Sequence, residues 1–156
     1  MLYFAYGSNM PSARIEERIG PCERIGVAYI TGYTLRFHKE GAVDHTAKCD
    51  AYYTGVPADR VWGAIYRLSK DQIAELDEEE GPGYRRVTIR TTLDGWVVEA
   101  DLYVARPEAV KSGLRPLDSY KACVLDGARE LDLPEEYIDA IEAVASVPAA
   151  DREGGD

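Results

Sequence analysis

Short runs of apolar residues, separated by turn residues, dominate the first two thirds of the chain. Runs of this kind predict strands, and they fall at Leu2–Tyr6, Val27–Phe37 around Gly32, Ala51–Val56, Val61–Leu68, Arg86–Leu93 and Trp96–Val104. The last two flank Asp94-Gly95, a dipeptide typical of a tight hairpin turn. Gly63, inside the fourth run, predicts a bulge or a close approach of two backbones. Several short strands joined by turns indicate a closed or strongly curved sheet.

Helical patterns predict four further elements, at Ser12–Ile19, Lys70–Glu80, Ser119–Leu131 and Pro134–Val147. The second follows the capping-box pattern Ser69-Lys70-Asp71-Gln72 and stops at Gly81-Pro82-Gly83. In the fourth, Pro134 suits the first helical turn. Together the strands and helices predict an α+β fold, a small mixed β-barrel with flanking helices. We expect one domain over residues 1–147 and a flexible, glycine-rich tail over residues 148–156.

Charge and cysteine content narrow the classes of function. The formal net charge of the 156 residues is −10 and no basic stripe is visible, so nucleic acid is not an expected partner. No apolar run approaches a membrane span, and the N-terminus lacks the basic region of a signal peptide. Cys22, Cys49 and Cys123 have neither disulfide-framework nor metal-ligand spacing, which predicts a reducing, cytoplasmic location.

A metal site is not expected. His38 and His45 lie in or beside a loop-like stretch, Lys39–Lys48, that has no matching set of carboxylates. Two histidines without such partners do not have the spacing of a metal-ligand set.

The segment Tyr6-Gly7-Ser8-Asn9 is the first candidate for chemistry. A strand runs into Gly7 and small polar residues, and Pro11 then opens a predicted helix. Such a turn can direct several backbone N–H groups, and the helix N-terminus behind them, at one anion. The alternative is an ordinary strand-to-helix turn in which Ser8 or Asn9 caps the helix.

The acidic run Asp77-Glu78-Glu79-Glu80 closes the second predicted helix. At about 100° per residue, Glu80 lies within about 10° of the centre of the apolar face, whereas Asp77 is about 70° away. A carboxylate that faces the core and ends a helix is disfavoured in its charged form, which raises its pKa. A glutamate tuned in this way suits acid–base catalysis near neutral pH. The alternative is a buried ion pair with Arg85 or Arg86.

Three tyrosines are placed to border a pocket near Glu80. Tyr84 follows Glu80 across a tight turn, Tyr103 lies in the last predicted strand, and Tyr120 begins a helix. In successive steps of three or four residues, Val124, Gly127 and Leu131 share one helical face with Tyr120. This side chain is therefore predicted to point inward. Core packing is the alternative for each of the three.

Together these segments resemble the γ-glutamylcyclotransferase family. The matching runs occur in family order and cover nearly the whole chain before the predicted tail: Tyr3-Phe4-Ala5-Tyr6-Gly7-Ser8-Asn9, Val61-Trp62-Gly63, Leu76-Asp77-Glu78-Glu79-Glu80-Gly81, Tyr120-Lys121 and Leu133-Pro134-Glu135-Glu136-Tyr137. Glutathione-specific relatives carry a Tyr-Gly-Ser-Leu loop and γ-glutamylamine relatives a Tyr-Gly-Thr-Leu type of loop. Because position 9 is Asn, the chain resembles the branch that acts on γ-glutamyl amino acids. The short Gly81-Pro82-Gly83 link departs from the family at the border of the pocket.

The resemblance implies a barrel with a pocket at one end and neither a metal nor an organic cofactor. It implies that Tyr6, Gly7, Ser8 and Asn9 bind the γ-glutamyl group, that Glu80 is the catalytic acid/base and that Tyr120 contacts the substrate. Tyr84 and Tyr103 join the predicted substrate-binding set because of their placement.

The implied reaction is an intramolecular cyclisation catalysed by a lyase. The α-amino nitrogen of the γ-glutamyl group attacks its own γ-carbonyl, which forms 5-oxoproline and releases an amino acid or amine. The expected partner is therefore a small γ-glutamyl molecule, and a homodimer is left open. The alternatives are a cyclotransferase for a specialised γ-glutamylated metabolite and a non-catalytic domain of the same fold that binds a small molecule.

Overall fold

A computed structural model describes residues 1–149 of the chain. Seven strands are present in this part, in chain order β1 (Leu2–Ala5), β2 (Glu23–Thr31), β3 (Tyr33–Glu40), β4 (Ala47–Tyr53), β5 (Arg60–Arg67), β6 (Tyr84–Leu93) and β7 (Trp96–Ala105). Five of them close into a barrel in the order β1-β5-β2-β6-β7, while β3 and β4 form a separate two-stranded sheet. Parallel pairing of Tyr3 with Asp101 closes the barrel, whose other pairs are antiparallel. The predicted mixed barrel is confirmed.

Gly63 allows two barrel strands to approach each other closely. A Cβ atom at this position would lie 2.2 Å from the carbonyl oxygen of Ala5. The register pairs Ala5 with Ala64, so β1 crosses β5 directly against this glycine. The predicted close approach of β1 and β5 is confirmed. The predicted bulge does not fall at Gly63: in the β2–β5 pair, the register shift lies on β2, between Arg24 and Gly26.

Four α-helices flank the barrel within the described residues: α1 (Ser12–Ile19), α2 (Lys70–Glu80), α3 (Asp118–Glu130) and α4 (Glu135–Glu142). The first two have their predicted bounds. Ser69 Oγ accepts a hydrogen bond from the Gln72 N–H at 3.1 Å, and Gln72 Oε1 accepts one from the Ser69 N–H at 3.0 Å. This reciprocal cap explains where α2 begins, and Gly81 ends it.

The single strand predicted over Val27–Phe37 is wrong, because Gly32 divides it into β2 and β3. Gly32 has a φ of +82°, a left-handed conformation that favours glycine. Its N–H donates to the carbonyl of Asp59, and its own carbonyl accepts from the N–H of Thr54. The chain therefore leaves the barrel at Gly32 and returns after a hairpin of its own.

The β3–β4 hairpin, which the sequence did not predict as a unit, packs against strand β7 of the barrel. Asp50, which is buried, accepts a hydrogen bond from the Ala105 N–H of β7 at 2.8 Å and lies 2.7 Å from His38 Nε2. The strand predicted from Ala51 begins at Ala47. The stretch Lys39–Lys48, predicted as a loop, starts inside β3 and ends inside β4.

The last helix ends five residues before its predicted end. The Val147 carbonyl accepts a hydrogen bond from the Asp118 N–H, and the Val147 N–H donates to the Pro116 carbonyl. Lys121 Nζ also binds the carbonyl oxygens of Glu142 and Val144, beside the last turn. These contacts draw the segment against the start of α3. Of the predicted flexible tail, residues 150–156 lie outside the described residues.

Candidate active site

One pocket contains all the predicted catalytic and substrate-binding residues. It lies where the end of β1 meets the end of α2, under the β3–β4 hairpin. We call it the inner pocket, and its lining residues are Tyr3, Tyr6, Gly7, Ser8, Asn9, Cys49, Glu80, Tyr84, Tyr103 and Tyr120. The predicted meeting of Glu80 with the Gly7–Asn9 turn in one pocket is confirmed as geometry.

The Gly7–Asn9 turn lines this pocket and contains unused donors. The turn is closed by a hydrogen bond from the Met10 N–H to the Gly7 carbonyl at 3.1 Å. Within residues 1–149, the N–H groups of Gly7, Ser8 and Asn9 have no hydrogen-bond acceptor. A Cβ at Gly7 would lie 3.1 Å from Cys49 Cβ, so a larger residue would crowd the pocket wall. Unpaired backbone N–H groups of this kind can bind an anion.

Helix α3 packs directly against this turn. A Cβ at Gly127 would lie 2.4 Å from Met10 Cβ, so only a glycine allows the observed approach. Val124 on the same face is fully buried. At the start of α3, the Tyr120 hydroxyl accepts a hydrogen bond from the Cys49 N–H at 2.9 Å. The predicted inward direction of Tyr120 is confirmed.

Glu80 ends α2 inside the pocket with a single hydrogen-bonded partner in the described part of the chain. The Asn9 amide donates to Glu80 Oε1 at 3.4 Å and to the Tyr3 hydroxyl at 3.1 Å. Arg18 donates to Asn9 Oδ1 at 2.8 Å, which fixes the orientation of that amide. Burial raises the pKa of Glu80, and the nearby positive charges of Arg18 and Lys39 offset part of this rise.

The alternative of an ion pair between Glu80 and an arginine of β6 is wrong. Arg86 donates instead to Asp77 Oδ1 at 2.9 Å and to Asp101 Oδ2 at 2.6 Å. Among the ion pairs of residues 1–149, none includes Glu80 or Arg85. The pKa of Glu80 is therefore raised, and its carboxylate makes no ion pair within the described residues.

The pocket tyrosines form walls, and their hydroxyls are bound to the protein. The Tyr84 hydroxyl donates to the Cys49 carbonyl at 2.6 Å, that of Tyr103 donates to Asp77 Oδ1 at 2.6 Å, and that of Tyr6 donates to the Tyr103 carbonyl. Burial raises the pKa of Tyr6, Tyr84 and Tyr103 well above neutrality, so these groups stay protonated.

The Cys49 thiol is also neutral at ordinary pH. Burial raises its pKa to about 12, although the Tyr120 hydroxyl acts in the opposite direction. A thiol in this state is a poor nucleophile. Glu80 is thus the acid of the inner pocket lining whose pKa burial moves upward from an ordinary carboxylate value toward neutrality.

A second, larger cavity opens beside the inner pocket. This outer cavity encloses about 290 Å³ and shares Ser8, Glu80, Tyr84 and Tyr120 with the inner pocket. Its remaining lining residues are Arg14, Arg18, Lys39, Gly41, Ala42, Val43, Asp44, Lys48 and Glu79. The side of the inner pocket that faces it is therefore charged, whereas the opposite side is built from tyrosines.

Four of the lining residues that sequence reasoning missed bear on the chemistry of these cavities. Tyr3 and Cys49 line the inner pocket, and Arg18 and Lys39 line the outer cavity. Tyr3 lies in the first matching run, so alternation along β1 offered a signal. Nothing in the local sequence marks the other three, because the hairpin and the packing of α1 bring them to the site.

Residues 1–149 contain no group of three or more His, Cys, Asp and Glu side chains placed to hold a metal ion. Independence of a cofactor stays a prediction. None of the helices in the same range is long and apolar enough to cross a membrane.

A sequence family model and a shared fold together indicate the class to which this protein belongs. Residues 60–141, just over half of the chain, match the sequence model of the AIG2-like family. This range begins with β5 and contains Glu80 and Tyr120. A solved yeast γ-glutamyl cyclotransferase specific to glutathione has a similar fold, with a TM-score of 0.54 at 12% identity over 90% of this chain and 95% of that one.

More similar relatives narrow this class. The γ-glutamylcyclotransferase of Mus musculus is 30% identical over 92% of this chain and 78% of the relative. That of Homo sapiens is 29% identical with the same coverage. A solved γ-glutamyl cyclotransferase superposes with a TM-score of 0.84 at 25% identity, covering 98% of this chain and 96% of that one. The chain belongs to the γ-glutamylcyclotransferase family.

Proposed function

We propose that this protein converts γ-glutamyl amino acids or amines to 5-oxoproline and the free amino acid or amine. The observation that carries the proposal is the placement of the Glu80 carboxylate in one pocket with the unused N–H groups of Gly7, Ser8 and Asn9. A proton acceptor and an anion site are the two functions that this cyclisation requires. Family membership adds the class of reaction.

Glu80 carries the protons in this proposal. The α-ammonium of the γ-glutamyl group first gives one proton to Glu80, and its nitrogen then bonds to the γ-carbonyl carbon. Protonated Glu80 then gives this proton to the departing nitrogen as the C–N bond breaks. The regenerated carboxylate takes the second proton from the ring nitrogen as the lactam forms, and passes it to the released amine. A raised pKa suits a group that must both accept and return a proton.

The Gly7–Asn9 turn holds negative charge in this scheme. Its N–H groups lie just before the N-terminus of α1, whose dipole favours an anion. They bind either the substrate's α-carboxylate or the oxyanion that develops on the γ-carbonyl, and the second role is worth about 3 kcal/mol per donor in known enzymes. Tyr6, Tyr84, Tyr103 and Tyr120 shape the pocket so that the bound group folds toward the cyclic geometry.

Direct detection of 5-oxoproline tests the proposal. The purified protein is incubated in parallel with several γ-glutamyl dipeptides, glutathione and γ-glutamyl-lysine. We expect 5-oxoproline and the free amine to form in equal amounts, fastest with a γ-glutamyl amino acid. The same assay in EDTA tests cofactor independence, and unchanged turnover is expected. Binding of these compounds without any product would contradict the proposed activity.

We place the protein in the cytoplasm as part of this proposal. Cys22, Cys49 and Cys123 are free thiols, which suits a reducing compartment. Cell fractionation with an antibody to the protein tests the location.

A further inference from the structure

The outer cavity carries more positive charge than its own acids neutralise. Lys48 pairs with Asp44 at 3.0 Å, and Arg18 pairs with Glu79 at 3.3 Å. These pairs satisfy two of the four cations in the lining. Of the two that remain, Arg14 is exposed to solvent, whereas Lys39 is buried.

Lys39 is the exceptional residue of this cavity. Its side chain is among the buried charged residues, with 4% of its surface exposed. Within residues 1–149 it makes no ion pair and no hydrogen bond, and its ammonium lies 4.7 Å from the centre of the Tyr84 ring. Buried lysines without a partner are rare. The Lys39 ammonium keeps access to the outer cavity, whose lining it joins, while the rest of the side chain is buried.

The backbone of the β3–β4 hairpin positions Lys39 at the outer cavity. A bulge at His38 shifts the register of the hairpin, so that Lys39 pairs with Lys48 instead of Ala47. Such bulges redirect side chains. The Lys39 backbone also bridges to Val110 beyond β7.

Gly83 supplies the space that the Lys39 side chain occupies. A Cβ at position 83 would lie 2.6 Å from Lys39 Cε and 2.9 Å from its Nζ. Gly83 is absent from the glycines with positive φ, so its backbone alone does not require glycine. The Gly81-Pro82-Gly83 link therefore makes room for the Lys39 side chain at the border of the two cavities.

The electrostatics around Lys39 favour an anion in the cavity. Burial lowers the pKa of Lys39 and the facing Lys48 adds to the lowering, whereas Glu80, Asp44 and Glu40 act in the opposite direction. A carboxylate bound between the Lys39 ammonium and the cavity would relieve the cost of burial.

We propose that Lys39 binds the carboxylate of the amino acid that leaves the substrate. This inference rests on the proposed cyclotransferase function. The two cavities share Glu80 and Tyr84, so a γ-glutamyl group held in the inner pocket directs its leaving group into the outer cavity. In a γ-glutamyl amino acid, that carboxylate is one carbon from the leaving nitrogen. Lys39 thereby selects amino acids over simple amines as leaving groups.

The test compares two substrates that differ only in this carboxylate. kcat/KM is measured for γ-glutamyl-alanine and for γ-glutamyl-alaninamide with the wild type and with Lys39→Met. A charge-assisted hydrogen bond contributes about 1.5–3 kcal/mol, so the wild type should prefer the carboxylate by roughly 10- to 100-fold. Lys39→Met should remove this preference. Because Lys39 also lowers the pKa of Glu80, the ratio between substrates is the readout, and the shared effect cancels.

Two further variants make the test decisive. Lys111→Met removes an exposed lysine near the same hairpin and should keep the wild-type preference. Gly83→Ala keeps every charge but pushes the Lys39 side chain away, so the preference should fall, and it replaces Lys39→Met if that variant does not fold. An unchanged preference in the folded Lys39→Met protein, or an equal loss in Lys111→Met, would overturn the inference. No 5-oxoproline from either substrate would instead remove the proposed function, and this inference with it.

Discussion

Two carboxylates of α2 lie three residues apart and belong to different regions of the molecule. Asp77 faces strands β6 and β7. It accepts hydrogen bonds from Arg86 of β6 and from the Tyr103 hydroxyl of β7. Glu80 lies in the inner pocket, where the Asn9 amide approaches it at 3.4 Å. Burial raises the pKa of Glu80.

This difference shows how one helix separates a structural acid from a candidate catalyst. The partners of Asp77 hold its charge in place, so a change there should act on stability. Glu80 has no cation within ion-pair distance in the described part of the chain, so its proton can move. The variants below are designed to break this contrast.

The largest effect is expected from Glu80→Gln. Glutamine keeps the volume and can accept the Asn9 hydrogen bond, but it cannot take up a proton. Turnover with a γ-glutamyl dipeptide should fall by at least about 100-fold, the usual consequence of losing one acid/base group. Substrate affinity should change little, because the proposed anion contacts come from the Gly7–Asn9 backbone. Turnover, affinity and melting temperature are measured on the same sample.

Stability separates this outcome from a folding defect. The melting temperature of Glu80→Gln should hold or rise, because a buried carboxylate at a helix C-terminus becomes a neutral amide. Near-normal turnover in the folded variant would show that Glu80 is not the catalyst. Asp77, the acid next closest to the inward face of α2, would then become the candidate.

A smaller effect on turnover is expected from Arg18→Met. Arg18 orients the Asn9 amide through a 2.8 Å hydrogen bond, and loss of a bond worth about 1 kcal/mol corresponds to roughly a fivefold loss of kcat/KM. Arg18 also lowers the pKa of Glu80, so its removal should raise that pKa. The acid limb of the pH profile should therefore move to higher pH.

Arg14→Met is the matched control for this pH shift. Arg14 lowers the pKa of Glu80 less than Arg18 does, and in the described residues it donates no hydrogen bond to Asn9. Its acid limb should move less than that of Arg18→Met. Equal movement in the two variants would mean that net charge, and not the contact with Asn9, sets the effect of Arg18.

Asp77→Asn should change stability and spare the chemistry. Asn keeps an oxygen that can accept from Tyr103 but loses the charge opposite Arg86. The pair is partly exposed, so the expected loss is about 1 kcal/mol, or about 2–4 °C in melting temperature. kcat/KM should stay within about twofold of the wild type, since removal of an exposed charge pair seldom affects more than stability. A large loss of turnover without a loss of stability would reverse the roles of Asp77 and Glu80.

Much of this contrast was readable from local sequence signals. The Ser69–Gln72 cap and Gly81 define both ends of α2, so a helical wheel places Glu80 correctly. The hairpin at Asp94-Gly95 is likewise present, with both residues at positive φ. These features depend on contacts within a few residues, which a single sequence contains.

The charged side of the site depends on contacts that are distant in sequence. The division of the strand at Gly32 follows from hydrogen bonds to Thr54 and Asp59. Burial of Lys39 follows from the bulge at His38 and the space at Gly83. No periodicity encodes such contacts, so the outer cavity was not predicted although the inner pocket was.

The smallest effect concerns how stability depends on pH. Burial raises the pKa of Glu80 in the folded protein above its value in the unfolded chain. Between these two values the folded state binds more protons, so the stability contributed by Glu80 is present below the unfolded pKa and is lost as pH rises through the folded pKa. Glu80→Gln has no such loss. The difference in melting temperature between the variant and the wild type should therefore grow from acidic to neutral pH, as measured by thermal unfolding in a series of buffers. A difference in melting temperature that stays constant from acidic to neutral pH would contradict the burial of a titrating carboxylate at Glu80.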